Sequence, residues 1–242
     1  MAYNYLDIVN VVNRRVNETE LTSSNFSSAS GYYSAVKDAV NASIRYINQR
    51  EFEWPFNNTT YDETLVAGTI RYAFQSDAKS VDFDTFRIQR NDTFGNETRP
   101  LIRMDYEEYV QKNLIDDEYN TSDTGIRKLP THVFETPDQE YGVWPAPDAA
   151  YTLSYEYYQL PTDLSAHSDI PSIPESFRFI IADGAMYYVY FFRGDEALAD
   201  RIKVKFDEGI DAMRTIYINR YNSIRDTRVF RNRASQSSNR TI

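Results

Sequence analysis

The chain has no cysteine, so no disulfide framework, Cys-ligated metal or thiol nucleophile is open to it. That fits folding in a reducing cytoplasm. Histidine is nearly absent too. His132 and His167 are the two in the chain, one in an expected strand and one in an expected loop. No His-x-x-His or His-Glu-x-x-His pair exists, which removes the usual zinc patterns. His132 reads as a strand surface residue. His167 has Ser165, Ser168 and Asp169 around it, but no Gly-x-Ser-x-Gly elbow occurs and triads are not normally laid out locally, so this segment reads as a loop. The eight glycines are scattered and build no phosphate loop. Long apolar runs are also missing. The most apolar stretch, Phe177 to Phe192, carries Arg178 and Asp183; it is too short and too charged to span a bilayer and reads as a buried core helix. The opening MAYNYLDIVNVVNRR lacks the charged start and apolar run of a secretory signal. Triplets such as Asn17-Glu18-Thr19 are then by-products of a surface rich in Asn, Ser and Thr.

What is present points elsewhere. At 242 residues the chain can bury one good core, or a core and a satellite domain. Tyr is abundant, with 20 residues, which suits either contact surfaces or cross-strand Tyr pairs in a β-region. Net charge is -10, which argues against gripping nucleic acid through its phosphates. The charge is uneven. From Arg225 onward there are five Arg and one Asp, a balance of +4, so the rest carries -14. A basic tail on an acidic body reads either as a docking tail or as a solvated terminus.

Carboxylates cluster at Asp82/Asp84, Glu107/Glu108 and Asp116/Asp117/Glu118. Asp82 and Asp84, two apart on a strand, would share a face and could share a cation, although such pairs are usually a solvated face. The Asp116 group lacks the ligand alternation and central glycine of an EF-hand. A two-carboxylate hydrolase finds no positive support in the sequence.

Periodicity sets the expected elements. Leu6, Val9, Val12 and Val16 predict a helix over Tyr5–Val16, and Tyr33, Val36, Val40, Ile44 and Ile47 another over Gly31–Phe52, stopped by Pro55. Period-two alternation then predicts strands around Ile70–Phe74, Val81–Asp84, Phe86–Gln89 and Ile102–Met104, with a turn at Phe94-Gly95-Asn96. Asp105 and Glu108 have capping-box spacing, opening a short helix to about Leu114; Asp116–Ile126 reads as a loop. Strands resume at Thr131–Glu135, Gln139–Trp144 and Tyr151–Tyr158. Leu160–Ile173 is an extended connector, and Pro174 sits where a helix can start. Two amphipathic helices follow, joined at Arg193-Gly194-Asp195. The last is expected from Asp195 to Ile224, about 45 Å at ~1.5 Å per residue, long enough to reach across a subunit. Leu198, Ile202, Phe206, Ile210, Met213, Tyr217 and Tyr221 form its stripe.

The expected architecture is α+β: a helical bundle built from the N-terminal residues 1–56 and the C-terminal residues 161–225, with a β-rich insertion over 57–160 and an extended basic tail over 226–242. No internal repeat occurs. The C-terminal third, Ser172 to Arg225, has no catalytic motif and reads as organised for packing, first within the chain and then against neighbours.

Ile173-Pro174-Glu175-Ser176-Phe177-Arg178 opening an apolar helix, followed by a long helix rich in charge, resembles the tubular tail protein A family, the head-to-tail adaptors of short-tailed bacteriophages. Arg50-Glu51-Phe52-Glu53-Trp54-Pro55-Phe56 is similar to that family's helix-then-Trp element. Val81–Ile88 and Val143-Trp144-Pro145-Ala146-Pro147 resemble marine-phage relatives. The resemblance implies a structural virion protein without enzymatic activity, needing no cofactor or metal and no membrane. It implies a ring of about twelve copies, assembled in the host cytoplasm, between the portal and the tail nozzle, with double-stranded DNA passing through unbound. Carried onto this chain, Arg228, Phe230, Arg231 and Arg233 would dock on the portal, and Leu198, Ile202, Phe206, Met213, Tyr217 and Tyr221 would supply a subunit-contact helix. An acidic body suits a repulsive conduit; Asp195, Glu196, Asp200, Asp207 and Glu208 on the last helix either line it or simply face solvent. The competing readings are a tail-associated carbohydrate-binding module, whose strand tyrosines would stack on sugars, and a hydrolase with dispersed carboxylates.

Overall fold

The computed structural model describes residues 3–92, 95–112 and 127–218; for 90–92, 95 and 96 it describes the backbone alone. The described residues divide into two compact units, one reaching up to Phe56 and resuming at Thr162, the other spanning Asn57–Pro161. The fold is α+β, with N- and C-terminal helices forming one unit and two sheets the other.

In the helical unit, α1 (Tyr5–Arg15) begins at Asn4 with a reciprocal cap: the Asp7 amide donates to Asn4 Oδ1 at 2.9 Å and the Asn4 amide to Asp7 Oδ2 at 3.2 Å. Asn10 on its buried side holds the following loop, exchanging hydrogen bonds of 2.9 and 2.8 Å with the Leu21 carbonyl and amide. After α2 (Tyr32–Arg50), Trp54 is fully buried and its indole N–H donates to the Ile47 carbonyl at 3.0 Å. The connector is stapled by Arg178, whose guanidinium donates to the carbonyls of Ile173, Tyr3 and Pro171. Pro174 precedes a 3-10 turn (Glu175–Phe177) that leads into α4 (Arg178–Phe192), and α5 (Glu196–Tyr217) follows; α3 (Tyr106–Lys112) belongs to the other unit.

Helix α4 is the centre of this unit. Ile180 through Met186 and Val189 are all buried, and α1, α2 and α5 all pack on it. Gly184 explains the closeness. A Cβ there would lie 2.2 Å from Ser43 Oγ of α2 and 2.5 Å from Phe206 Cζ of α5, so only glycine lets the three helices meet.

Helix α5 is shorter than its sequence pattern predicts. It ends at Tyr217, and Ile218 is extended (φ -96°, ψ 114°). Its 22 residues span about 33 Å, not 45 Å. The Tyr217 ring is clasped by Phe56 and Phe177, at centroid distances of 6.1 and 5.7 Å, and β-branched Thr215, Ile216 and Ile218 weaken helix propagation there. Length alone therefore no longer carries this helix beyond its own unit.

In the second unit one sheet has the order β1 (Asn58–Thr64), β8 (Thr152–Gln159), β3 (Ala78–Asp92), β4 (Gly95–Pro100), all antiparallel. The other runs β2 (Arg71–Ala73), β7 (Glu140–Trp144), β6 (His132–Glu135), β5 (Ile102–Arg103), with β5 parallel to β6. Phe86, Ile88, Val133, Tyr141, Val143, Leu153 and Tyr155 from both sheets, with Leu65 just after β1, form one buried cluster. Helix α3 (Tyr106–Lys112) closes a smaller one, its Tyr109 ring stacked 4.0 Å from Phe134. Gly142 is registered opposite Phe134, whose ring occupies the space of the missing side chain.

Several expectations are corrected here. Strand β1, NTTYDET, has one apolar residue and so no period-two signal; it exists because it pairs along β8, with Tyr61 opposite Tyr155. The two expected strands at Val81 and Phe86 are one strand with a bulge. Val81 pairs with Tyr157 and Ile88 with Leu153, so β3 carries three extra residues there, and this returns Phe83 and Phe86 to the same core. Gly95 and Asn96 are already in β4, paired with Asp92 and Asn91, while Phe94 lies outside the described residues. Ile102 was expected on a buried face but is exposed; Leu101 and Met104 on either side are the buried pair, because β5 is only two residues long. The Glu108 carboxylate accepts from Lys112 at 2.5 Å, one helical turn on. The Asp116–Ile126 segment and Leu114 lie outside the described residues.

Candidate functional site

The residues that a catalytic reading would need are occupied otherwise. Asp169 accepts from the amides of Ser165 and Ala166, each at 2.7 Å, and from Ser165 Oγ at 3.3 Å. Those backbone donors hold its carboxyl below the usual carboxylate range. The serine hydroxyl thus serves the loop and is not offered to His167. His132 sits 5.2 Å from the Trp144 ring, with Nδ1 2.9 Å from Thr131 Oγ1. Asp82 is the last paired residue before the bulge of β3, opposite Glu156, and its Oδ1 accepts the amide of Asp84, which is inside the bulge, at 3.1 Å. The two carboxylates therefore do not alternate along a regular strand. Among the described residues no group of three or more His, Asp or Glu could hold a metal ion. None of their helices is long and apolar enough to cross a membrane.

The strand tyrosines are also accounted for. Tyr141, Tyr155 and Tyr157 are buried, and their rings pack on Phe86, Phe74 and one another. Burial pushes the Tyr141 phenol far above its ordinary value and Tyr155 up to about 12. These rings build a core and present no stacking platform for a sugar.

The conspicuous surface is instead on the helical unit. At its ionic centre, Asp183 is buried on α4. Its two oxygens take Arg15 of α1 at 2.5 Å and Lys205 of α5 at 3.1 Å. Three helices are tied at that point, and a lone acid inside an apolar run is the signal that could have announced it. The α4–α5 hairpin is fixed by Gly194 at φ +80° and by Asp195, which accepts the Leu198 amide at 3.2 Å. Arg193 beside it lies 4.6 Å over the Tyr32 ring and 2.6 Å from Glu18.

Around that anchored framework apolar side chains face outward. Phe191 and Phe192 end α4 at 61% and 67% exposure, and α5 exposes Leu198, Val204 and Ile216. Of the predicted subunit-contact helix, Phe206 and Met213 are buried in the unit's own core, Ile202 and Tyr217 are half-buried against it, and Leu198 is exposed. Tyr221 and the tail residues Arg228, Phe230, Arg231 and Arg233 lie outside the described residues. Of the acids on this helix, Glu196, Asp200 and Glu208 are exposed, Asp195 is the cap, and Asp207 accepts from Tyr46 at 3.1 Å and lies 3.7 Å from Arg50. The sequence reading missed the surface of α2. There Ala35, Ala39 and Ala42, with Asp38, line a groove of about 380 Å³ floored by Tyr188 and Phe192. Small residues three and four apart were its legible sign.

A surface of outward apolar residues on a firmly tied helical unit is the mark of an assembling protein. The family model of the SU10 adaptor protein matches residues 3–235, nearly the whole chain. The chain belongs to the SU10 adaptor protein family. It is thus a structural adaptor of phage and a component of the virion. The matching family is not the tubular tail protein A family that the sequence resembles; the adaptor role is common to both. Comparison with curated proteins finds no match.

Proposed function

We propose that this adaptor forms a ring of about twelve copies that joins the portal to the tail nozzle and lets double-stranded DNA pass without binding it. The observation that carries the proposal is the whole-length adaptor match, read together with the exposed apolar residues of α4 and α5. Acids on the outer side of α5, such as Asp200 and Glu208, suit a lumen that repels phosphate. The basic segment supplies the portal contact, Phe230 as an apolar anchor among Arg228, Arg231 and Arg233. Deleting residues 227–242 is expected to weaken attachment to the portal while leaving the circular dichroism spectrum unchanged. Unchanged attachment sinks the tail assignment. Native mass of the chain, alone and mixed with its portal, tests the ring: a single species near twelve copies is expected, and a monomer in both mixtures refutes it.

A further inference from the structure

Two different faces of the helical unit have the shape and charge to meet each other. The first is the α2 groove, whose wall of alanines permits close approach and whose rim carries exposed Asp38. The second is a stripe on α5. Leu198, Arg201, Lys205, Ala212 and Ile216 are all exposed, and their spacings of three, four, seven and four place them along one line of the helix.

The stripe faces away from α2. Phe206 points into the core, and its neighbours Asp207 and Lys205 lie on either flank of it. Asp207 reaches α2, through Tyr46 and Arg50. Lys205 reaches the opposite way, to the Asp183 carboxylate that Arg15 of α1 also holds. The stripe is on the Lys205 flank. Groove and stripe are therefore separate surfaces on opposite sides of one unit, and neither can fill the other within the same chain.

We infer that the α2 groove of one copy receives the α5 stripe of a second copy of this chain, in a head-to-tail contact. The inference rests on the proposed ring and names its interface. The lengths agree: Ala35 to Ala42 and Leu198 to Lys205 each span seven residues, about 10 Å of helix. Leu198 enters among the alanines against Phe192, and the Arg201 cation meets Asp38 at the rim. Because the two surfaces differ, each copy bound leaves one groove and one stripe free, so the contact propagates until it closes. The rim pair fixes register and adds little energy, as exposed ion pairs do.

The absence of cysteine makes the test free of background. Asp38→Cys and Arg201→Cys, both at exposed positions, are placed in one chain and oxidised at high concentration and in assembled particles. A ladder of covalent multimers is expected on denaturing gels from the double variant, and no species beyond a dimer from either single variant. Native mass of the reduced variants runs alongside. A ring without a ladder overturns this interface and leaves the ring standing. A monomer throughout, with no ladder, overturns both. Efficient dimers from a single variant overturn it as well, because they mark a two-fold contact. Capture of Asp38→Cys by the portal instead of by a second copy assigns the groove to that partner and overturns the inference.

Discussion

Gly184→Ala tests whether three helices truly meet at one backbone position. The new methyl would stand 2.2 Å from Ser43 Oγ and 2.5 and 2.6 Å from two Phe206 ring carbons. Both neighbours are buried to within a percent or so of completely, so neither can swing into solvent. Overpacking of a tight core costs roughly 1–3 kcal/mol, and contacts more than 1 Å too short belong at about 3. Alanine returns about 1 kcal/mol through helix propensity. The net expected loss is about 2 kcal/mol, or about 4–8 °C in Tm for a protein of this size. Thermal unfolding followed by far-ultraviolet circular dichroism at the helix band reads it directly. Ser43→Gly in the same chain removes one of the two clashing groups and should recover part of the loss, whereas added to the wild type it should only destabilise. A Gly184→Ala protein as stable as the wild type, or about 1 kcal/mol more so, would refute the claim that α2 and α5 are seated on this residue.

Three further outcomes follow from the same geometry. Asp183→Asn leaves Arg15 and Lys205 without their anion; a broken buried pair costs about 3–5 kcal/mol, and with both cations partly in water the expected loss is about 2, measured by urea unfolding. Asn10→Ala abandons both the Leu21 amide and its carbonyl, and should cost about 2 kcal/mol and speed hydrogen exchange at Leu21 before the α4 core. Burial holds Tyr32 and Tyr155 up to about 12 in the fold against an ordinary 10. Their neutral forms are favoured by folding, so stability is fully present below pH 10 and lost as pH rises through 12; residue-resolved NMR should show the Tyr32 and Tyr155 rings ionising together with unfolding, and either ring titrating at pH 10 in the intact fold would contradict the burial.

The legible parts of this chain were those written in apolar periodicity. Helix α2 and strand β8, with Leu153, Tyr155 and Tyr157 inward, follow from spacing because each buries one face, while α1 and α4 follow from apolar residues dense enough to be buried nearly all round. Strand β1 was hidden because its stability comes from β8 and not from its own composition. The bulge in β3 was hidden for another reason. Phe83 and Phe86 break the two-residue period, and a broken period looks like two strands until the register of a neighbour is known. The end of α5 depended on Phe56 and Phe177, which are far away in sequence. At the candidate surface, the expected contact stripe on α5 divides: Phe206 and Met213 point inward and Leu198 outward.

That division shows how the helix is organised. Ala199, Phe206, Ile210 and Met213 are buried and hold the fold, while Leu198, Lys205, Ala212 and Ile216 occupy an adjacent outward line. On the interface inferred above, fold and assembly draw on neighbouring lines of one helix, joined at Lys205, which alone on that outward line also closes the Asp183 ion pair. Outward apolar side chains contribute little to folding, because they are in water in the free chain. Ile216→Asp, at a position 67% exposed, should therefore change stability by about 0.5 kcal/mol, roughly 1–2 °C in Tm, and Leu198→Asp, at 38%, by about 1 kcal/mol, roughly 2–4 °C. On the interface inferred above, Leu198→Asp should still break head-to-tail assembly, since its carboxylate would be buried among alanines beside Asp38. Equal loss of stability and assembly in Leu198→Asp would mean that the residue belongs to the core after all, and the separation of the two lines would fail.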